Sequence, residues 1–117
     1  MAIKSRFQTY NDGVLYLCVQ KPASSDFSAV FNPKRQSDIC RLMKLDYREV
    51  TKREQDYTFA EGEEKTLDLK VKVMFHTLAS VDKQVMIGKV LYDIFKVDYD
   101  NNRKNMYLYL QKARDLT

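Results

Sequence analysis

The segment Thr66-Leu67-Asp68-Leu69-Lys70-Val71-Lys72-Val73-Met74-Phe75-His76 decides the fold class. Leu67, Leu69, Val71, Val73 and Phe75 fall on every second residue, separated by Asp68, Lys70, Lys72 and Met74. A period of two sets one group on each face of a β-strand. A helix would smear the same apolar side chains around its cylinder. One face therefore meets a core and the other is mostly wet, which places Lys70 and Lys72 in solvent.

Downstream, Val85-Met86-Ile87 and the run 90–97 flank Gly88-Lys89. A glycine at the first position of a two-residue connection suits a type I′ or II′ hairpin turn. Residues 98–105, rich in Asp and Asn, read as the next turn. In 106–112, Tyr107, Tyr109 and Gln111 alternate with Met106, Leu108 and Leu110, a further strand. The C-terminal half thus reads as a meander of four strands. Its two edges would stay unpaired unless the sheet curls, so a small antiparallel β-barrel or sandwich is expected.

The upstream half is less regular. Residues 14–20 alternate Leu15, Leu17 and Val19 as a strand, after the turn Asn11-Asp12-Gly13. Residues 21–37 hold both prolines and most of the serines around Phe27, Val30 and Phe31. Loops of that length in a compact domain are usually functional or ordered by a partner. Residues 39–47 can form a strand. Residues 49–61 either form a short helix, through Val50, Arg53, Glu54 and Tyr57 with Gly62 as its stop, or stay irregular.

A chain of 117 residues with 44% apolar content supports one core and one domain. Three glycines and two prolines leave little material for linkers, and eight tyrosines with six phenylalanines favour pleated, half-buried surfaces. The net charge of +4 comes from 20 basic and 16 acidic residues that alternate along the chain, unlike the basic stripe of a dedicated DNA-binding domain. Cys18 and Cys40 lie in separate apolar stretches without CxxC spacing, as free thiols of a protein folded inside the cell do. Residues 1–10 lack an apolar signal core, and no run approaches a membrane span, so a soluble protein folded in the cytoplasm is expected.

No chemistry-bearing motif emerges. His76 is the sole histidine, too little for a zinc site or a Ser- or Cys-centred catalytic set. Glu63-Glu64 sit by Gly62 in a turn-like, solvated context, and three isolated glycines make no phosphate loop. Neither catalysis nor a cofactor is expected. The basic residues Lys34, Arg35, Lys52, Arg53, Lys70 and Lys72, interleaved with tyrosines, could meet a nucleic-acid backbone; equally, strand lysines keep edges and faces soluble.

Taken together, Arg53-Glu54-Gln55-Asp56, Phe59-Ala60-Glu61-Gly62, the alternating run from Leu67 to Val73, Val85-Met86-Ile87-Gly88, Leu91-Tyr92-Asp93-Ile94, Val97-Asp98 and Met106-Tyr107-Leu108-Tyr109-Leu110 resemble the head–tail adaptor, or head-closure, proteins of long-tailed bacteriophages. In that family an alternating strand leads to an I-G-x-x-x-Y-x-I hairpin. Ile87, Gly88, Tyr92 and Ile94 occupy those places here, and Lys112 and Arg114 follow the closing strand. The resemblance covers residues 38–114, and the N-terminal third only by position.

The resemblance implies a small β-barrel in the virion that oligomerises into a ring beneath the portal and adaptor proteins, retains packaged DNA and docks the tail. Its partners would be further copies of itself, portal or adaptor proteins, tail proteins and, transiently, DNA, with no membrane and no small-molecule substrate. The 21–37 segment, or alternatively 49–62, would be the family's long reaching loop. Phe27, Val30, Phe31 and Arg53 are then expected at subunit or partner contacts, and Lys34, Arg35, Lys70 and Lys72 along the channel or in solvent. Alternatives are a tail-terminator or tail-completion protein, a free nucleic-acid-binding β-barrel, and a small regulatory or inhibitor protein. A nucleic-acid reader should display Tyr107 and Tyr109 with lysines on one exposed face.

Overall fold

The computed structural model describes residues 12–20 and 39–116. Six strands, β1 (Gly13–Gln20), β2 (Ile39–Glu49), β3 (Leu69–Met74), β4 (Gln84–Ile87), β5 (Val90–Tyr99) and β6 (Asn105–Asp115), close a barrel in the order β1-β2-β3-β6-β5-β4. Among the described residues one helix, α1 (Glu54–Gly62), lies between β2 and β3 in the chain. Every neighbouring pair is antiparallel, β1 with β4 included, which completes the ring.

The expected barrel is present, but the four C-terminal strands are not a simple meander. β4, β5 and β6 follow one another as hairpins, whereas β3 pairs with β2 and β6 and not with β4. Alternation tells which face of a strand is apolar; it does not name the neighbour. The hairpin turn is as expected: Gly88 has φ +59° and Lys89 does not share the positive sign, the pattern of a type II′ turn.

Inside the barrel, Leu15, Leu17, Val71, Val73, Val85, Ile94, Met106, Leu108 and Leu110 are buried in one cluster. Each such side chain contributes about 1.5–3 kcal/mol relative to exposure. A second cluster joins Cys18, Ile39, Met86, Leu91 and Leu116. The register skips Leu42 opposite Leu17 and Cys18, and skips Phe95 and Ala113 between β5 and β6. Such bulges bend a strand and re-aim a side chain. Phe95 packs instead against Tyr109, Ala60 and Leu67, a third cluster to which α1 contributes Ala60.

Helix α1 starts with Glu54 and Asp56 in its first turn, where negative charge suits the amide end of the helix dipole. Its far end is a Schellman motif: Lys65 N–H donates to Ala60 O (2.8 Å) and Glu64 N–H to Glu61 O (3.0 Å). The left-handed residue is Glu64, at φ +57°, and not Gly62, which remains helical. The expected glycine stop is thus displaced by two residues onto a glutamate.

Candidate functional site

The densest polar arrangement among the described residues lies in the seam between α1 and the outside of β3, β5 and β6. Asp56, one turn into α1, is 1% exposed, and Lys70 on β3 is 6% exposed. Asp56 Oδ2 accepts from Lys70 Nζ at 2.9 Å and from the Arg53 backbone N–H at 2.9 Å. Its Oδ1 accepts from Arg53 Nη2 at 3.0 Å. The Tyr109 hydroxyl donates to Asp98 Oδ2 at 2.8 Å and lies 3.3 Å from Asp56 Oδ1.

The Tyr109 ring is held between two ammonium groups, Lys70 Nζ and Lys96 Nζ, each 4.9 Å from its centroid. Lys96 also sits 4.3 Å from the Phe59 ring, and Phe59 stacks on Phe95 with centroids 6.4 Å apart. The buried face of α1 therefore carries a carboxylate, an alanine and one aromatic edge, and the barrel supplies cations and rings that match it.

These contacts fix the protonation states. Burial alone would push the Asp56 carboxyl up, but the bonds from Arg53 and Lys70 outweigh it and hold the group well below the usual carboxylate range. Burial, then the Asp98 carboxylate, pushes the Tyr109 phenol far above its ordinary value. The seam is thus a charged carboxylate beside a firmly neutral phenol.

Beside the seam opens a cleft of ≈ 480 Å³. Arg53, Lys70 and Asp98 supply its charged wall, and Val50, Tyr99, Tyr107 and Tyr109 its apolar and aromatic one. Tyr99 is 51% exposed, and its ring packs on Phe75 at 5.3 Å between centroids. With Met74 (60%), Leu78 (41%) and Val81 (61%), it forms a set of exposed apolar residues. All four lie at or just beyond the end of the barrel where β3 and β5 finish and β4 and β6 begin.

Lys70 corrects an expectation. It belongs to the outer face of β3, as the period of two requires, yet it is not solvent-facing, because α1 roofs that part of the face and Asp56 takes its charge. Lys72, two residues on, is half-buried and stands opposite Tyr107 and Arg48 in the ladder. Arg53 is half-exposed on the rim of the cleft, where it precedes α1 and binds Asp56. Phe27, Val30, Phe31, Lys34 and Arg35 lie outside the described residues. Tyr107 and Tyr109 do gather with lysines on one outer face, but Tyr109 is fully buried and Tyr107 half-buried, so the rings form no open stacking platform.

His76 is half-buried in a turn, its Nδ1 accepting the Leu78 N–H at 3.1 Å. Among the described residues no three His, Cys, Asp or Glu side chains gather where they could hold a metal ion, and no helix is long and apolar enough to cross a membrane. Sequence reasoning missed Asp56, Asp98 and the exposed apolar end. The i, i+3 pair Arg53–Asp56 signals the first, and Met74, the apolar residue on the polar face of β3, signals the last. No protein-family model matches the chain, and no curated protein sequence matches it.

Proposed function

We propose that this protein is a structural subunit of the head–tail connector of a long-tailed bacteriophage, of the head-closure type. It assembles with further copies into a ring beneath the portal and adaptor, retains packaged DNA and docks the tail. The resemblance of residues 38–114 to that family motivates the reading. The observation that carries it is a small closed barrel on which four of the six exposed large apolar side chains among the described residues, Met74, Leu78, Val81 and Tyr99, collect towards one end. Residues of that kind, left wet on an isolated subunit, suit contact with a neighbouring protein.

The polar seam supports the same reading. Its buried charges satisfy one another and stiffen the barrel, which suits a part that works through its outer surfaces. A free nucleic-acid reader is disfavoured, since the tyrosine and lysine best placed to stack and pair, Tyr109 and Lys70, are covered.

Deleting the gene from the genome that encodes it tests the proposal by negative-stain electron microscopy. The expected result is DNA-emptied heads with detached tails of normal length. Full heads with tails of uncontrolled length would instead mark a tail terminator. Intact tailed particles would overturn the connector reading.

A further inference from the structure

The outer face of β2 has no covering layer among the described residues. Leu42 is 39% exposed, and Lys44, Asp46 and Arg48 on the same strand are exposed as well. Lys44 and Arg48 take part in none of the ion pairs of the described residues. Leu42 is the residue that the β1–β2 ladder skips, so a bulge lifts an apolar side chain out of a strand that also exposes Lys44, Arg48 and, between them, Asp46.

A second surface has the opposite character. Exposed Glu54, Glu61, Glu63 and Glu64 line α1 and its C-terminal turn, with only Lys65 among them of positive sign. In the middle of this surface is a recess of ≈ 230 Å³, walled by Tyr57, Ala60, Glu61, Lys65, Thr66 and Leu67. Tyr57 is 46% exposed at its rim, while Ala60 and Leu67 are buried at its base. A recess with an apolar base, with Glu61 and Lys65 on its wall and Glu63 and Glu64 exposed in the adjoining turn, fits an aliphatic side chain flanked by cations.

We propose that the β2 face of one copy docks on the α1 face of the next, with Leu42 seated in the recess beside Tyr57 and with Lys44 and Arg48 facing Glu61, Glu63 and Glu64. The occupant of each surface is thus a second copy of this chain, and the match of charge and shape selects it. The contact joins different faces, so it is head-to-tail and propagates. The two faces are also not opposite each other. α1 sits over β3, β6 and β5, whereas β2 lies beside β3, so successive copies turn about an axis as a closed ring requires. The pairing rests on the ring-forming reading and specifies its subunit contact.

Disulfide trapping tests it. The full chain is prepared in a Cys40→Ser background with either Leu42→Cys or Glu61→Cys, both exposed positions, and the two are mixed under mild oxidation. The expected product on a non-reducing gel is a mixed dimer, enriched about tenfold over dimers of either variant alone, and a ladder from a chain carrying both changes. Lys44→Glu with Arg48→Glu on the first chain should lower the mixed product about tenfold, and Glu63→Lys with Glu64→Lys on the second should restore it. No enrichment of the mixed product, or no response to charge reversal, overturns the pairing. Self-association by light scattering without the mixed product would overturn the pairing alone and leave the connector reading standing. A trapped ladder from a protein whose deletion leaves particles intact would do the reverse.

Discussion

Replacing Asp56 with alanine isolates what the seam contributes. The carboxylate is 1% exposed and its buried partner, Lys70, 7% at the side chain, with the two charged atoms 2.9 Å apart. Removing the acid strands a buried ammonium and leaves the Arg53 backbone N–H without its acceptor; the Arg53 guanidinium, half in solvent, turns to water. Breaking a buried pair from one side costs about 3–5 kcal/mol, so a loss of about 4 kcal/mol is expected. Against a typical stability of about 5–15 kcal/mol, this lowers the melting temperature by roughly 15 °C. Lys70→Met should cost less, about 1–3 kcal/mol, because Asp56 keeps Arg53. The double change Asp56→Leu with Lys70→Met should recover at least half of the larger loss, since packed apolar side chains replace a buried pair at little cost. Urea denaturation followed by circular dichroism measures all three.

The same variant alters the acid limb. The folded Asp56 carboxyl titrates below its ordinary value of 3.8. Its contribution is therefore present above that pH and is lost as the pH falls from there toward the depressed folded value. The wild-type curve should steepen between about pH 4 and pH 2, and the Asp56→Ala curve should be flatter over that window. A cost under about 1 kcal/mol for Asp56→Ala, or single effects that simply add in the double variant, would refute the seam as an energetic unit.

Two further perturbations test the barrel itself. Burial pushes the Cys18 thiol up to about 12, and its Sγ donates to the Gln84 carbonyl at 3.5 Å. About one Cys18 in ten thousand is thiolate at pH 8, so a thiol reagent should label at most Cys40 in the native protein and Cys18 only after unfolding; fast labelling of both would contradict this burial. Gly88→Ala places a Cβ on a residue at φ +59° with nothing within 4 Å of it, so the cost is confined to the backbone. A loss of about 1–2 kcal/mol is expected from the urea midpoint, and a neutral result would contradict the turn.

The strands were legible because a half-buried strand writes its two faces into alternate residues, as the run from Leu67 to Phe75 does. Their order was not, because β3 gains β6 as a neighbour through contacts far apart in the chain. The helix stayed ambiguous for a physical reason. Its buried positions are Asp56 and Ala60, while Tyr57, one of the residues that allowed a helix, is exposed. The reading of Lys70 failed at the same place, since alternation assigns a side chain to the outer face but says nothing of a second layer laid over it. Tyr109 was likewise assigned to the correct face, and only its roof was invisible. Arg53 was expected at a partner contact and lies at the rim of the cleft, with its guanidinium engaged by Asp56.

The strand order bears on how the chain is made. β1 lies between β2 and β4, and β3 between β2 and β6, so each of these early strands must wait for a neighbour encoded much later. A nascent chain that has emerged only through β3 is an open sheet with unsatisfied backbone on both flanks, a species prone to aggregate. Ring closure is then a late and slow step, governed by pairing between distant segments. A premature stop anywhere before β6 removes the strand that holds β3 to β5, and the product would be cleared by proteases as unfolded polypeptide.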